Sequence, residues 1–463
     1  MGIFNNISPL DHRYRVSEPN LWDELANILS EEGYLRYQLQ VEAALVQAFA
    51  NRGMCSQAVA QEVAQACESI TCSEVQVEEE ITKHNIRALV NCIRERVSDE
   101  AKPFVHLTAT SVDILDTGRA LQIRDVTERI VLPKLRNLMR VWIRITRAEA
   151  HTPQIGRTHG QHGVPITFGF ALSEYVSRLG SRLVQIEAAV GNLRGKMAGA
   201  VGAYNASSLF FGDPMSFEEE VLSLLQLKPA QHSTQIVEPE YVTDLIHSVV
   251  TAFGVLANFA DDIRHLQRTE ISEVGEEFTS GQVGSSTMPH KRNPWNYENV
   301  KSMWKEFMPR MVTVYLDQVS EHQRDLTNSA SARFITEIFA AIALTTQRLI
   351  RVTSKLAVHE QKMLENLNMH GQLIAAEPMY IILASLGHPD AHEYVRQLTL
   401  EFERTGKSLG ELAQLDEAIQ PYLERMNEKQ REIILNPASY QGVAAQKALS
   451  ICDYWEPRIQ GGE

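Results

Sequence analysis

Cysteine is scarce, with five residues in 463: Cys55, Cys67, Cys72, Cys92 and Cys452. The number is odd and no two have CxxC spacing. This excludes a disulfide framework, makes a zinc site unexpected, and points to free thiols in a reducing compartment. No run of 18 apolar residues occurs, so no membrane span is expected. The first residues, MGIFNNISPLDHRYR, lack a basic stretch followed by an apolar one, and Asn6 stands where myristoylation wants Ser or Thr. The expected location is cytoplasmic, without a membrane partner. Positive charge is also in deficit, with 44 Lys and Arg against 58 Asp and Glu, a formal net charge of −14. That argues against a nucleic-acid partner, whose surface would be basic. It still permits an anionic small molecule in a local cationic pocket.

What the chain has in quantity is helical periodicity. Leu172, Tyr175, Leu179, Leu183, Ile186, Val190 and Leu193 step by three or four. So do Val242, Leu245, Val249, Phe253, Leu256, Phe259, Ile263 and Leu266, and again Ile335, Ile338, Ile342, Leu349, Val352 and Leu356. Each predicts a long helix with one apolar stripe. Leu135, Leu138, Trp142 and Ile145 predict a fourth, with Pro133 near its start or middle as a place for a kink. Shorter helices are expected before and after. No strand alternation and no internal repeat stands out. The expected architecture is all-α: a helical segment 1–112, a long-helix bundle 113–360 and a helical segment 361–463. The uncharged stretch Phe339–Thr346 predicts burial on more than one side, and packing against another subunit is expected there, the alternative being burial within its own subunit.

The sharpest local signal is Gly284-Ser-Ser-Thr-Met-Pro-His-Lys-Arg-Asn-Pro294. It is a glycine-spaced loop (Gly275, Gly281, Gly284) feeding a helix, with Asn293 suited to an N-cap and Pro294 to the first helical position. A helix N-terminus binds carboxylate or phosphate, and Lys291 adds a fixed charge. Taken alone it is equally a surface turn with a cap. The other polar candidates have plain readings too. His84 follows Glu78, Glu79 and Glu80 and fits an exposed helix histidine. His159 fits a turn. Arg324 and Arg333 fit solvated charges, and Glu298 fits a first-turn acid favoured by the helix dipole.

The eleven-residue string resembles the signature loop of the fumarase/aspartase superfamily almost residue for residue. Thr110-Ser-Val-Asp-Ile-Leu-Asp-Thr117 resembles that superfamily's first shared block and Gly156-Arg-Thr-His-Gly-Gln-His162 its second. Gln323-Arg-Asp-Leu-Thr-Asn-Ser-Ala-Ser-Ala-Arg333 follows in the expected order. Within the superfamily the chain resembles the adenylosuccinate lyases. Ser8-Pro-Leu-Asp-His-Arg-Tyr14, Lys83-His84-Asn85, Lys196-Met-Ala-Gly-Ala-Val-Gly202 and Thr234-Gln235 match segments of that family. Two positions depart from its pattern. Asn85 replaces an Asp, and Thr108 stands where a small residue, often Gly, is common.

The resemblance implies a three-domain all-α fold and a carbon–nitrogen lyase that releases fumarate by β-elimination, with no metal or organic cofactor. It implies Ser285 as base and His159 as acid, supported by Glu298, Lys291, His84 and His106. Arg13, Tyr14, Lys83, His84, Asn85, Thr110, Ser111, Thr158, Gln235, Ser286, Lys291, Arg292, Asn293, Asn299, Arg324, Ser329, Ala330, Ser331, Ala332 and Arg333 would hold an anionic nucleotide substrate. It also implies a homotetramer whose active sites are shared between subunits. The rival readings are argininosuccinate lyase, carboxymuconate cycloisomerase and, more remotely, a non-catalytic structural protein on the same fold. Ser285 and His159 speak against the last.

Overall fold

The computed structural model describes residues 5–277, 287–288, 290–369 and 371–460. The predicted long helices are present as Leu132–Ala148, Phe168–Gly191, Glu240–Leu266 and Ile335–Thr353. Their stripes are buried: Leu179, Ile186, Leu245, Val249, Phe253, Phe259, Ile342 and Leu349 have no exposed surface. Each such side chain contributes roughly 1.5–3 kcal/mol relative to leaving it in water. Glu240–Leu266 is long and apolar enough to cross a membrane by length and composition alone, but most of its apolar window is buried inside the protein.

Pro133 stands at the second position of its helix, near the start. The chain runs Ser111–Val126, then a π-helical turn Thr127–Val131, then Leu132–Ala148. The Leu132 N–H reaches back five residues to the Thr127 carbonyl. A widened turn just before the proline accommodates the ring and its missing donor.

The chain forms two compact units, each assembled from separate stretches. The division follows compactness, not chain order, and so does not bear on the sequential boundaries at 112 and 360. All the switches between units fall inside helices.

The first unit comprises residues 1–136, 181–256 and 302–348. Glu31–Asn51 is its central helix, packed on Gln57–Glu68, Ser111–Val126 and Pro214–Leu224. Phe49, Phe217 and Phe211 stack at one end, with centroids 5.1 Å and 4.3 Å apart. Helix starts are capped as their sequences predict: Ser30, Ser56 and Thr71 each accept an N–H from the first turn. The stretch Phe339–Thr346 is buried within this chain itself. The expected packing against another subunit is therefore not what buries it: the alternative, burial inside the subunit, accounts for it.

The second unit comprises 137–180, 257–301 and 349–463. Trp142 packs on Phe259 at 4.6 Å, and Tyr175 meets Phe259 edge-on at 5.3 Å. Gly180 permits a close approach, because a Cβ there would lie 2.4 Å from the Trp455 ring. The C-terminal short helices close a core of Met379, Leu383, Val395, Leu409, Ile419 and Ile434.

The expectation of no strands needs correction. Pro153–Thr158 and Gln161–Thr167 form an antiparallel hairpin with a bulge between Ile155 and Arg157. Its two-residue turn is His159–Gly160, with φ of +58° and +74°. Two left-handed residues in succession make the tight turn that matches the twist of paired strands. The bulge, Gly156 and Pro165 break the alternation that would have disclosed it.

Candidate active site

In the first unit the predicted segments converge on the start of the helix Ser111–Val126. Thr110 is extended, and its N–H donates to Asp113 Oδ2 at 2.8 Å. Asp113 and Lys196 are both fully buried and paired, with Nζ 2.5 Å from Oδ1. Lys196 Nζ also donates to the Gly199 carbonyl at 3.0 Å, and the Gly199 N–H to Asp113 Oδ1 at 3.3 Å. Thr117 Oγ1 donates to the Lys196 carbonyl and accepts the Lys196 N–H, each at 3.0 Å. A buried ion pair holds only with such supplementary hydrogen bonds.

Asp116, on the same helix, accepts the Val237 N–H at 2.9 Å. Its carboxyl is pushed up to about 6, because burial outweighs that hydrogen bond and the Lys196 and Arg324 charges. The tie fixes the turn carrying Thr234 and Gln235, which is closed by a Ser233–Val237 bridge. Gly202, at φ +75°, lies under this turn, and a Cβ there would come within 1.9 Å of the Ser233 carbonyl oxygen.

His84 caps the helix Asn85–Arg94: its Nδ1 accepts the Arg87 N–H at 3.2 Å. The proton of the neutral ring is then assigned to Nε2, which faces Ser111 Oγ at 3.4 Å. His84 is thus both an exposed helix histidine and a neighbour of the first block. Lys83, at φ +54°, ends the preceding helix, and Asn85 Oδ1 accepts the Ile86 N–H at 2.8 Å.

His106 lies in the loop before the first block. Its Nδ1 is 2.6 Å from Oε1 of Glu42, whose side chain has no exposed surface. Burial works against charge on this ring, but the Glu42 carboxylate, through charge and hydrogen bond, prevails and holds the His106 pKa above its ordinary value. The stabilisation from this pair is therefore fully present below about pH 6.5, the unfolded histidine value, and is lost as pH rises through the higher folded one.

The backbone at Thr108 explains why a glycine is common at this position in the family. Its φ is +67°, in the left-handed region where a β-branched residue is strained by roughly 1–2 kcal/mol. Thr108→Gly removes that strain against a chain-entropy cost of about 0.5–1 kcal/mol. It is expected to raise the urea midpoint slightly. A lowered midpoint would show that Thr108 is held by contacts worth more than the strain.

In the second unit the His159 hairpin is clamped at its base. Glu273 is fully buried and takes Arg157 Nη2 at 2.5 Å, Gln154 Nε2 at 2.8 Å and Asn366 Nδ2 at 2.9 Å. Glu273 immediately precedes the short strand Val274–Gly275 that leads into the signature loop. Thr158 and His159 themselves are exposed. Ser285 and Ser286 lie outside the described residues.

Beyond the loop, Lys291, Arg292 and Glu298 are exposed, while Asn293 and Asn299 are half-buried. The helix is Trp295–Phe307, so Pro294 precedes it instead of opening it. Its N-terminus was expected to receive a substrate anion. In this structure the Glu276 carboxylate sits there, accepting the Asn296 N–H at 3.2 Å and Asn296 Nδ2 at 2.7 Å. A helix start favours any negative charge, and the chain supplies one of its own.

The remaining predicted residues fall in the first unit. Arg13 is exposed and Tyr14 half-buried on the turn Leu10–Tyr14. Arg324 is buried at φ +95° and donates to the Asp317 carbonyl at 3.0 Å. Ser331 Oγ lies 2.8 Å from Asp317 Oδ2. Ser329, Ala330 and Arg333 are exposed and Ala332 half-buried. Among the described residues no group of three or more His, Cys, Asp and Glu could hold a metal ion. Sequence reading missed Glu42, Glu273 and Glu276. Only Glu42 carried a signal, as an acid inside the apolar run Val41–Val46.

The sequence profile of the family described as Lyase matches residues 12–308, and that described as Adenylosuccinate lyase C-terminal matches 320–440. An adenylosuccinate lyase of Pyrococcus horikoshii is 35% identical over 98% of this chain and 99% of its own length. One from Archaeoglobus fulgidus is 33% identical over 95% and 97%. Among solved structures, a 3-carboxy-cis,cis-muconate lactonizing enzyme from Pseudomonas putida superposes with a TM-score of 0.81 at 24% identity, covering 95% of this chain and 98% of its own. That likeness speaks to the fold alone. The all-α architecture, the two family profiles and the near full-length identities together place this chain in the adenylosuccinate lyase family.

Proposed function

We propose that the chain cleaves adenylosuccinate to AMP and fumarate, and the succinylaminoimidazole carboxamide ribotide to AICAR and fumarate. The observation that carries this is the gathering of the family's own segments, His84, Ser111, Lys196 and the Gln235 turn, about one helix start. The proton to be removed is next to a carboxylate and is barely acidic. Donors aimed at the developing dianion are each worth about 2.7–4 kcal/mol of barrier. Lys291 and the loop amides are assigned that task. Ser285 is the base, His159 protonates the departing nitrogen, and Glu298 supports His159. Ser286, Asn293, Asn299, Arg324, Ser329 and Arg333 hold the anionic groups of the substrate, and Arg13, Tyr14 and His84 its phosphate.

The site is completed in a cytoplasmic homotetramer. Support for assembly comes from exposed apolar residues on one stretch of the first unit: Val312, Leu316, Val319, Leu326 and Phe334 are all more than half exposed. A monomer in sedimentation at micromolar concentration would end that proposal.

The deciding assay follows adenylosuccinate absorbance with chromatographic detection of AMP and fumarate. Turnover of argininosuccinate or a carboxymuconate instead would replace this reading. Arg13→Ala is expected to raise KM about tenfold or more with a smaller change in kcat, since phosphate contacts are remote from the breaking bond. A collapsed kcat at unchanged KM would contradict the phosphate assignment.

A further inference from the structure

Glu42 stands in the middle of an apolar helix face, between Val41, Ala44, Leu45 and Val46, all of them buried. A carboxylate without exposed surface is costly unless its oxygens are satisfied. One is: Oε1 meets His106 Nδ1 at 2.6 Å. The other, Oε2, is buried without a hydrogen-bond partner among the described residues. A buried ion pair with one carboxylate oxygen unsatisfied is a weak stabiliser of a fold, since apolar residues of similar volume often do as well. Among the described residues the one hydrogen-bond partner of the Glu42 side chain is a histidine, and that histidine keeps 20% of its side-chain surface exposed.

His106 is constrained from its backbone as well, at φ +61°. With Nδ1 turned to Glu42, Nε2 is the nitrogen left for a ligand. The charged groups facing the ring come from three helices: Glu42 from Glu31–Asn51, Asp113 from Ser111–Val126 and Arg87 from Asn85–Arg94. Burial and Arg87 oppose a positive ring. Glu42 and Asp113 favour it, and they prevail.

We propose that Glu42 is a positioning residue for the reaction: it holds His106 by Nδ1 as a charged donor whose Nε2–H is presented to an anionic group of the substrate. This rests on the nucleotide-lyase reading above. Glu42 would not touch substrate. Its effect passes wholly through His106, and it strengthens binding of an anion more than it lowers the barrier.

Glu42→Gln tests the charge, because the amide oxygen still accepts from Nδ1–H. At about pH 8 the variant is expected to raise KM for adenylosuccinate about tenfold, the worth of one charged hydrogen bond, with kcat changed less than about threefold. Near about pH 6 the KM difference shrinks, because the ring is then protonated without help. NMR titration of the ring should show the His106 pKa falling in the variant. Glu42→Asp, charged but shorter, should restore part of both effects. A Glu42→Gln enzyme with wild-type KM at the higher pH and an unchanged His106 titration would overturn the proposal. If that variant does not fold, the wild-type titration decides: a His106 pKa below the ordinary histidine value, or a neutral ring with Nδ1 unprotonated, overturns it. A wild-type enzyme inactive on adenylosuccinate defeats the substrate reading instead, and the ring titration still tests Glu42.

Discussion

Lys196→Met is expected to cost about 3–5 kcal/mol of stability, the usual price of leaving a buried charge without its partner. Lys196 and Asp113 have no exposed side-chain surface. Among the described residues, removing the ammonium leaves Asp113 with the Thr110 and Gly199 N–H donors. Those donors are dipoles, which do not replace a full charge in a medium that screens poorly. The same change removes one donor from the Gly199 carbonyl, which keeps the Gly202 N–H at 3.4 Å. The reverse substitution, Asp113→Leu, should be similarly damaging, since it strands the ammonium. The double variant Lys196→Met with Asp113→Leu should recover much of the loss, because both charges are gone. Urea midpoints for the two single variants and the double close the cycle. A Lys196→Met protein within about 1 kcal/mol of wild type would mean that the pair contributes nothing. Since Asp113 also holds the Thr110 N–H, the variant should raise KM even where it remains folded.

The long helices were legible because an apolar residue every three or four positions has one physical meaning when sustained over 20 or so residues. Phe168–Gly191 and Glu240–Leu266 are cases. The hairpin carrying His159 was not legible. Its strands are short, bulged at Ile155–Arg157 and interrupted by Gly156 and Pro165, so period-two alternation never develops. The turn signal was present, since an X-Gly pair between short segments suits two left-handed residues, but histidine is not a usual first residue of such a turn. Motif matching found Thr110, Ser111, Asp113, Lys196 and Gln235 because their order along the chain is itself information. It could not find the couplings among them. Asp113 to Lys196 spans 83 positions, and no local pattern marks a pair so far apart. Glu276 at the helix start is the same kind of miss. A helix start favours negative charge whatever its source, and no local pattern marks Glu276, 20 positions earlier, as one such charge.

Ser285→Ala is expected to lower kcat by about 10²–10⁴-fold, the ordinary contribution of a positioned acid or base, while KM changes little. A serine hydroxyl is a poor base, so its competence depends on neighbours that favour the alkoxide, with Lys291 and loop N–H groups proposed for that task. The hydroxyl is small, and its main interaction arises only as the proton moves. Ground-state binding therefore survives its loss. Ser286→Ala is expected to do less damage to kcat and more to KM, because its proposed task is to hold a substrate carboxylate. His159→Gln gives a separate comparison. The hairpin turn that presents His159 is clamped through Arg157 and Glu273, away from the substituted ring, so the substitution should leave the fold intact while removing the acid. Single-turnover fumarate release at saturating adenylosuccinate separates these outcomes from slow product loss. A fast Ser285→Ala enzyme beside a dead Ser286→Ala enzyme would exchange the two roles. If both serine variants release fumarate at the wild-type rate, the base lies elsewhere. His159 and His84 are then the next groups to replace, since each is exposed at the start or turn of a well-fixed element.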